Sequence, residues 1–294
     1  MFHGSIVALI TPFKNGKVDE EGLRNLVEFQ IAGGTDGIVP CGTTGESATL
    51  SHQEHCRVIE IVIDQVKGRI PVIAGAGSNS TAETVFLAEH ARKSGADAVL
   101  LITPYYNKPT HDGLYHHFKH VAENVNIPQI LYTVPSRTGV NMLPETVVKL
   151  SKVNNIVGIK EASGNVDQAS AIIRDTADDF TLLSGEDSLT FPLMAIGAKG
   201  VISVVTNIVP DLMAELCRNC LSGNYNEARK LHYRLFDIFK DVFLETNPIP
   251  VKKAMYMMGL AEDEIRLPLI SMSATNTQTL KSVMQDLGVK IING

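Results

Sequence analysis

Eight short apolar segments alternate with amphipathic helical patterns over residues 1–223 of this 294-residue chain. Each segment places Val, Ile and Leu on consecutive positions, which is typical of a strand buried on both faces. The predicted strands are SIVALIT (5–11), GIVPC (37–41), IPVIAGA (70–76), AVLLIT (98–103), QILYTV (129–134), IVGIKE (156–161), TLLSG (181–185) and GVISVV (200–205). Roughly eight β-then-α units in succession predict an α/β fold of the closed parallel type, the (β/α)8 TIM barrel.

The chain beyond the last predicted strand carries only helical patterns, among them YNEARKLHYRLFDIFKDVF and IPVKKAMYMMGL. We therefore expect a catalytic barrel domain over 1–223 and a C-terminal helical domain over 224–294. An open doubly wound sheet is the alternative, but it normally shows a dinucleotide or phosphate fingerprint after its first strand, and TPFKNGK is neither.

Several helix starts have recognisable signals. Ser51 with Glu54, and Ser80 with Glu83, fit the capping-box pattern. Pro144 suits the first position of a helix.

Charge and composition exclude some classes of partner. A net charge of −6 with scattered basic residues argues against a nucleic-acid partner held by phosphate neutralisation. The N-terminal apolar run MFHGSIVALITPF has no basic segment before it and no small-residue cleavage site after it, so it is interpreted as the first strand. We expect a cytoplasmic protein that does not associate with a membrane.

The cysteines and histidines predict no metal site. Reduced thiols are expected at Cys41, Cys56, Cys217 and Cys220. The CRNC motif at 217–220 has no second pair with which to complete a zinc site, and it lies inside a helical pattern rather than at a helix N-terminus. His116 and His120 stand four apart on a predicted helix without the acidic residue of an H-E-x-x-H motif, so a solvated helix face is expected.

Lys160 ends an otherwise apolar strand in NNIVGIKEAS. An ammonium group in the interior is costly unless it is paired or loses its proton. Barrel enzymes place their chemistry at the C-terminal ends of the strands, where Lys160 stands. Lys199 precedes the eighth strand and belongs to the opposite end, and only Lys160 among the lysines is predicted to point into the mouth of the barrel.

Other strand ends carry groups that suit one chemistry together. The loop CGTTGES contains Thr43 and Thr44, whose hydroxyls and neighbouring amides could hold a carboxylate. Tyr132 ends the fifth strand and Arg137 follows on its loop. Taken singly, each has an ordinary structural explanation. Together with an amine whose pKa is lowered to roughly 7–8, they favour attack on a ketone to form an iminium that acts as an electron sink.

The motifs GTTGE, TPYYN, LYTVPSRTG and GIKEASGN, in this order and spacing, resemble the pyruvate-dependent class I aldolase family that includes N-acetylneuraminate lyase. The resemblance runs from GSIVALITPF to NPIPVKKAM and RLPL. It is most similar to the branch that condenses pyruvate with L-aspartate-4-semialdehyde in diaminopimelate and lysine biosynthesis. It implies a lyase that needs no cofactor and no metal, because Lys160 forms a covalent Schiff base with pyruvate.

The resemblance also implies roles for individual residues. Tyr132 would be the proton shuttle, linked to Thr43 and to Tyr106, which reaches in from a neighbouring subunit. Thr44 would help to hold the pyruvate carboxylate, and Arg137 would bind the carboxylate of the semialdehyde. The backbone carbonyl of Ile202 and Gly185 would line the site. These roles imply a homo-oligomer, expected as a tetramer built as a dimer of dimers.

One departure from the family and two alternatives remain. Thr133 stands where the family usually has asparagine, which bears on the positioning of Tyr132 and not on the reaction class. The alternatives are a pyruvate-dependent aldolase or lyase on a sialic or sugar acid, and a catalytically inactive barrel that acts as a ligand sensor.

The resemblance further implies a feedback site for free L-lysine at a dimer interface, where Glu83 could pair with the ligand's α-ammonium group. The predicted residues of this site are Ser47, Ala48, His52, His55, Gly77, Asn79, Glu83 and Tyr105.

Overall fold

Eight parallel strands form a nearly closed barrel in the computed structural model, which describes residues 2–293. The strands are β1 (Gly4–Ala8), β2 (Phe13–Lys14), β3 (Lys17–Val18), β4 (Gly37–Val39), β5 (Ile73–Gly75), β6 (Ala98–Ile102), β7 (Gln129–Thr133), β8 (Ile156–Glu161), β9 (Thr181–Ser184) and β10 (Gly200–Ser203). Neighbouring strands follow the order β4, β1, β10, β9, β8, β7, β6, β5, and β2 pairs with β3 in a small antiparallel hairpin. The eight predicted strands are therefore confirmed, and the hairpin is an addition.

The barrel closes between β4 and β5. Ile38 forms a parallel bridge with Val72, and its N–H donates to Pro71 O at 3.0 Å. Gly75 N donates to Pro40 O at 2.9 Å on the same seam. These bonds join the two ends of the sheet, which confirms the predicted TIM-barrel class and not the open sheet.

Helices cover the outside of the barrel and continue past it. They are α1 (Glu20–Ala32), α2 (His52–Val66), α3 (Thr81–Ser94), α4 (His111–Asn124), α5 (Pro135–Thr138), α6 (Pro144–Leu150), α7 (Val166–Asp175), α8 (Thr190–Ala195), α9 (Pro210–Leu221), α10 (Tyr225–Arg234), α11 (Phe236–Asp241), α12 (Ile249–Met257) and α13 (Ala274–Asp286). Pro144 is the first residue of α6, as predicted. Helices α10–α13 form the predicted C-terminal extension, while the domain boundary between 223 and 224 stays a prediction.

Capping at the two predicted boxes differs. Ser51 and Glu54 form the complete reciprocal box at the start of α2. At α3, the Ser80 hydroxyl accepts from Glu83 N at 3.5 Å, but Glu83 does not return the bond. Ser80 N donates instead to the Ser78 hydroxyl at 3.1 Å, and that same hydroxyl donates to the Glu83 carboxylate. The predicted capping box at α3 is therefore only half formed, because the Ser78 hydroxyl bonds both Ser80 N and the Glu83 carboxylate.

Side chains inside the barrel form an apolar cluster that supports the mouth from below. Its buried members are Ile6, Ala8, Val39, Ile73, Ala98, Leu100, Ile130, Tyr132, Val134, Ala162, Leu183 and Ile202. The strand register pairs Tyr132 with Lys160, and Lys160 with Leu183. Side chains at paired positions of neighbouring parallel strands share a face, so Lys160 lies on the interior face with Tyr132.

A larger apolar cluster lies between the strands and the surrounding helices, and side chains of α10–α13 belong to it. Leu231, Phe239, Met255 and Leu280 are among these buried side chains. The extension is thus packed against the barrel rather than tethered to it, which brings its residues within reach of the mouth.

No helix within residues 2–293 is both long enough and apolar enough to cross a membrane.

Candidate active site

Lys160 lies at the C-terminal end of β8 and is only 6% exposed. Its Nζ atom is 4.4 Å from the centroid of the Tyr132 ring, which ends the neighbouring strand. The buried lysine predicted from the sequence therefore points into the barrel mouth and not into solvent.

Because Gly185 has no side chain, it leaves room for the Lys160 side chain. A Cβ atom at this position would lie 3.1 Å from Lys160 Cε and 2.5 Å from Ala162 Cβ. The second distance is shorter than real Cβ contacts, so a side chain at 185 would force one of these neighbours to move. Glycine is thus required by the close approach of β8 to the end of β9.

The loop after β4 turns sharply around Thr43 and Thr44. Gly45 N donates to Gly42 O, and Glu46 N donates to Thr43 O, each at 3.1 Å. Cys41, just before these bonds, adopts a left-handed φ of 54°. The tight turn brings two hydroxyls and several backbone N–H groups to one rim of the mouth, as a carboxylate cradle requires.

Asn247, which the sequence reasoning missed, connects this loop to Arg137. Its Nδ2 donates to Thr44 Oγ1 at 3.0 Å, and its carbonyl accepts from Arg137 Nη2 at 3.1 Å. Asn247 precedes α12, and the Asn-Pro dipeptide 247–248 indicates a turn before a helix. No local pattern shows that this turn packs on a loop about 200 residues earlier in the chain.

A cavity of about 160 Å³ brings most of the predicted site together. Predicted residues that line it are Thr43, Thr44, Tyr132, Arg137, Lys160 and Gly185, and residues not predicted include Ser136, Glu186, Val204, Phe243 and Asn247. Ile202 lies in the interior cluster below the cavity. The side chain of Tyr106 is 91% exposed on its own protomer. No hydrogen bond within residues 2–293 links Tyr132 to Thr43, so the proton relay stays a prediction.

Two carboxyl groups follow β9 near Lys160, the partly buried Glu186 and the buried Asp187. Burial raises the pKa of Glu186, and the neighbouring Asp187 raises it further, while the positive charge of Lys160 opposes both effects. Burial likewise raises the pKa of Asp187, whose Oδ2 accepts from Val204 N at 3.0 Å and Val205 N at 3.2 Å. Asp187 thereby fixes the turn that follows β10, on the wall of the cavity.

Thr133, the one visible departure from the family pattern, faces away from the cavity. Its hydroxyl accepts from Met142 N at 3.1 Å and donates to Asn141 Oδ1 at 3.4 Å, on the outer face of β7. Successive side chains of a strand point to opposite faces, so this hydroxyl contacts the following segment and not the Tyr132 ring.

A second buried lysine lies behind the loop after β4 and does not line the 160 Å³ cavity. Lys252 of α12 is also buried, and its Nζ lies 2.5 Å from Glu46 Oε1 on the loop after β4. The sequence places Lys252 only within a helical pattern, because its pairing partner lies 206 residues away in the chain.

A second cavity, of about 560 Å³, opens beside the first. Seven residues of the predicted lysine site line it, namely Ser47, Ala48, His52, His55, Gly77, Glu83 and Tyr105. Asn79, the eighth, is not among the lining residues, and its carbonyl accepts from Asn107 Nδ2 at 2.9 Å. Thr43, Tyr132 and Arg137 line this cavity too, so the two cavities share a wall.

Charged and polar contacts hold the second cavity in shape. The Glu83 carboxylate binds His52 and the Ser78 hydroxyl, and these two hydrogen bonds lower its pKa. His55 Nε2 donates to Gly75 O at 2.7 Å, and burial lowers the pKa of the imidazole. A neutral buried imidazole and an ionised carboxylate thus face one space, which suits a ligand with both an apolar chain and an ammonium group.

The motifs considered for metal binding lie apart from this site. His116 and His120 are exposed on α4, and Cys217 and Cys220 are buried in α9. Within residues 2–293, no group of three or more His, Cys, Asp or Glu side chains is arranged to hold a metal ion.

Comparisons of the sequence and of the structure with known proteins all indicate the same family. The model of the dihydrodipicolinate synthetase family matches residues 1–287. The 4-hydroxy-tetrahydrodipicolinate synthase of Syntrophus aciditrophicus is 57% identical over 289 residues, covering 98% of this chain and 99% of the relative. That of Geotalea daltonii is 59% identical over 286 residues, covering 97% and 99%.

Solved structures agree with the sequence relatives. The dihydrodipicolinate synthase of Aquifex aeolicus superposes with a TM-score of 0.98 at 52% identity, covering 99% of this chain and all of that one. The enzyme of Acinetobacter baumannii, solved in complex with pyruvate, has a TM-score of 0.97 at 45% identity and covers 99% and 100%. The enzyme of Cyanidioschyzon merolae, solved with lysine bound, has a TM-score of 0.95 at 41% identity and covers 98% of each chain.

These relatives match the chain over nearly its whole length, and the solved structures share its fold. They do not support the sialic-acid or sugar-acid lyase, nor the inactive sensor. The chain belongs to the dihydrodipicolinate synthetase family and has 4-hydroxy-tetrahydrodipicolinate synthase activity, a lyase reaction of lysine biosynthesis.

Proposed function

We propose that Lys160 is the residue that binds pyruvate covalently. The unprotonated Nζ attacks the ketone carbon, and loss of water leaves a protonated imine in place of the C=O bond. Removal of a methyl proton then gives an enamine, with the electron pair accommodated by the imine nitrogen. The enamine carbon attacks the aldehyde carbon of L-aspartate-4-semialdehyde, and the new alkoxide takes up a proton. The amino group of the condensed semialdehyde then attacks the imine carbon, which closes the ring as the bond to Lys160 Nζ breaks and releases Lys160 as the free amine.

The remaining residues have complementary roles in this proposal. Thr43 and Thr44, with the amides of their loop, bind the pyruvate carboxylate. Tyr132 transfers protons at the reacting carbon atoms, since its ring centroid lies 4.4 Å from Lys160 Nζ. Arg137 binds the carboxylate of the semialdehyde, and its bond to the Asn247 carbonyl orients the guanidinium toward the cavity that it lines.

One observation carries the proposal most directly. A 6%-exposed lysine faces a tyrosine ring in a cavity of about 160 Å³ that also contains two threonine hydroxyls and an arginine. Within residues 2–293 Lys160 forms no salt bridge with a carboxylate. A purely structural buried lysine is normally paired, as Lys252 is with Glu46.

Borohydride trapping tests the covalent step. The protein is incubated with pyruvate, reduced and digested, and we expect the mass of one reduced pyruvate on the peptide that contains residue 160. Lys160→Ala should abolish labelling, and Lys160→Arg should as well, because guanidinium stays protonated and cannot attack. Lys199→Ala, at the opposite end of the barrel, is the matched control and should label fully. Labelling of a peptide without residue 160 would refute the assignment.

The second cavity supports L-lysine as a feedback ligand, in addition to pyruvate and the semialdehyde as substrates. Seven of the eight predicted residues line it, and the related enzyme of Cyanidioschyzon merolae was solved with lysine bound. The shared wall at Thr43 and Tyr132 provides a direct physical route to the active site. Asn79 does not line this cavity, and its place in the lysine site stays a prediction.

Titration of L-lysine against initial velocity tests this regulation. We expect partial, cooperative inhibition that is lost in Glu83→Ala and in His55→Ala. Glu89→Ala is the control, because Glu89 is paired with Arg92 on the outer surface of the same helix. A flat curve up to millimolar lysine at neutral pH would contradict the proposal.

Tyr106 supports an oligomer in which active sites are completed across an interface. It adopts a left-handed φ of 69° and projects its side chain away from its own protomer. The tetrameric, dimer-of-dimers assembly and the cytoplasmic location are our further expectations. Light scattering of the purified protein measures the assembly directly.

A further inference from the structure

A buried ion pair connects the C-terminal helices to the loop that carries Thr43 and Thr44. Lys252 Nζ of α12 lies 2.5 Å from Glu46 Oε1, with only 4% and 1% of the two side chains exposed. Burying two charges is costly, and such a pair is often no more stabilising than apolar side chains of the same size. A role in stability alone is therefore a weak explanation for this pair.

The Glu46 carboxylate is held on both oxygens. Its Oε2 accepts from Arg266 N at 3.2 Å, while Oε1 accepts from Lys252. Both cationic groups lie over the Phe13 ring, with Lys252 Nζ and the Arg266 guanidinium carbon each 4.2 Å from its centroid. Arg266 in turn makes a two-bond salt bridge with Glu54, at 2.9 and 2.6 Å. Glu46 therefore has one well-determined position.

That position determines the path of the threonine loop. Glu46 adopts a left-handed φ of 53°, which is unfavourable for a residue with a side chain, and its N–H closes the turn on Thr43 O at 3.1 Å. The segment that leads into α12 supplies a second attachment, because Asn247 donates to Thr44 Oγ1. The loop is thus held at Thr44 by Asn247 and at Glu46 by Lys252 of α12.

We propose that the Lys252–Glu46 pair is a positioning device for the substrate-binding hydroxyls of Thr43 and Thr44. Neither side chain lines the 160 Å³ cavity, so both act through the loop. The C-terminal helices thereby set the affinity for pyruvate, and this inference rests on the proposed binding of the pyruvate carboxylate by the loop.

Steady-state kinetics separates positioning from stability. Lys252→Met and Glu46→Gln each leave a buried polar group without its partner, so either variant could be hard to fold. The double variant Lys252→Met with Glu46→Gln removes both charges and keeps an acceptor for Arg266 N. Lys253→Met is the matched control, since it removes the next lysine, which pairs with Asp263 at 2.5 Å nearer the surface.

We expect the double variant to fold and to raise KM for pyruvate at least about tenfold, because a small misplacement of binding groups is enough for such a loss. The change in KM for the semialdehyde should be much smaller. Lys253→Met should leave both constants unchanged. A folded double variant with a pyruvate KM within about twofold of wild type would overturn the proposal. A double variant that cannot fold would overturn the proposal too, because the ion pair would then be needed for the stability of the barrel and not for the position of the loop. Wild-type protein that traps no pyruvate on Lys160 would instead refute the proposed function.

Discussion

Substituting Gly185 by alanine perturbs the site with a single methyl group next to the reacting amine. The added Cβ would lie 3.1 Å from Lys160 Cε and 2.5 Å from Ala162 Cβ. Gly185 does not have a positive φ, so alanine is compatible with the backbone there and the effect is purely one of space.

Two of the three close contacts, with Ala162 Cβ and Lys160 Cε, predict separable losses, while the third, with Glu161 O at 3.1 Å, adds to the cost in stability. The contact with Ala162 is about 1 Å shorter than an ordinary carbon–carbon contact of 3.5–4.0 Å, and overpacking of this kind costs about 1–3 kcal/mol in the free energy of unfolding. The contact with Lys160 Cε displaces the amine by a few tenths of an ångström or more. Since a misplacement of about 1 Å can cost about 10²-fold in rate, we expect imine formation to slow by roughly 10- to 100-fold.

Single-turnover trapping with pyruvate and borohydride measures the rate of imine formation, and urea unfolding measures stability. The double variant Gly185→Ala with Ala162→Gly removes the 2.5 Å contact and keeps the contact with Lys160. It should regain most of the lost stability while trapping remains slow. Trapping at the wild-type rate in Gly185→Ala would refute the argument that Gly185 makes room for Lys160.

Three further predictions concern other parts of the molecule. Arg137→Ala should raise KM for the semialdehyde at least about tenfold and leave KM for pyruvate almost unchanged, and equal changes would remove its assigned role. Tyr106→Phe should lose turnover. If Tyr106 acts across an interface, random mixing of Tyr106→Phe subunits with Lys160→Ala subunits should recover about a quarter of wild-type activity. If Tyr106 acts within its own protomer, mixing should recover no activity. Arg266 lowers the pKa of Glu54 to about 2 from its usual value near 4.5. The stability from this pair is therefore present above pH 4.5 and lost as the pH falls toward 2, so the unfolding free energy should fall more steeply over that range in wild type than in Glu54→Gln.

Seven of the eight residues predicted for a lysine site line one cavity, and the binding of lysine there stays a prediction. His52 and Glu83 were placed in one site although they lie on different helices, and the structure pairs their side chains. The capping role given to Glu83 was half wrong, because the Ser78 hydroxyl accepts from Ser80 N and donates to the Glu83 carboxylate, which replaces the predicted bond between those two groups. Local patterns indicate which polar groups lie near a helix start, but not which of two neighbouring hydroxyls forms a given hydrogen bond.

The sequence by itself determined the barrel, the strand-end position of Lys160 and the groups at neighbouring strand ends. Apolar runs, their alternation with helices and the order of the motifs are local features, and parallel strands bring their C-terminal ends to one rim whatever the loops do. Only the tertiary structure decided what holds the Gly-Thr loop in place. Its partners, Asn247 and Lys252, are 203 and 206 residues away in the chain. Contacts over such separations depend on how the C-terminal helices pack on the barrel, and that packing leaves no periodic signal in the residues that make it.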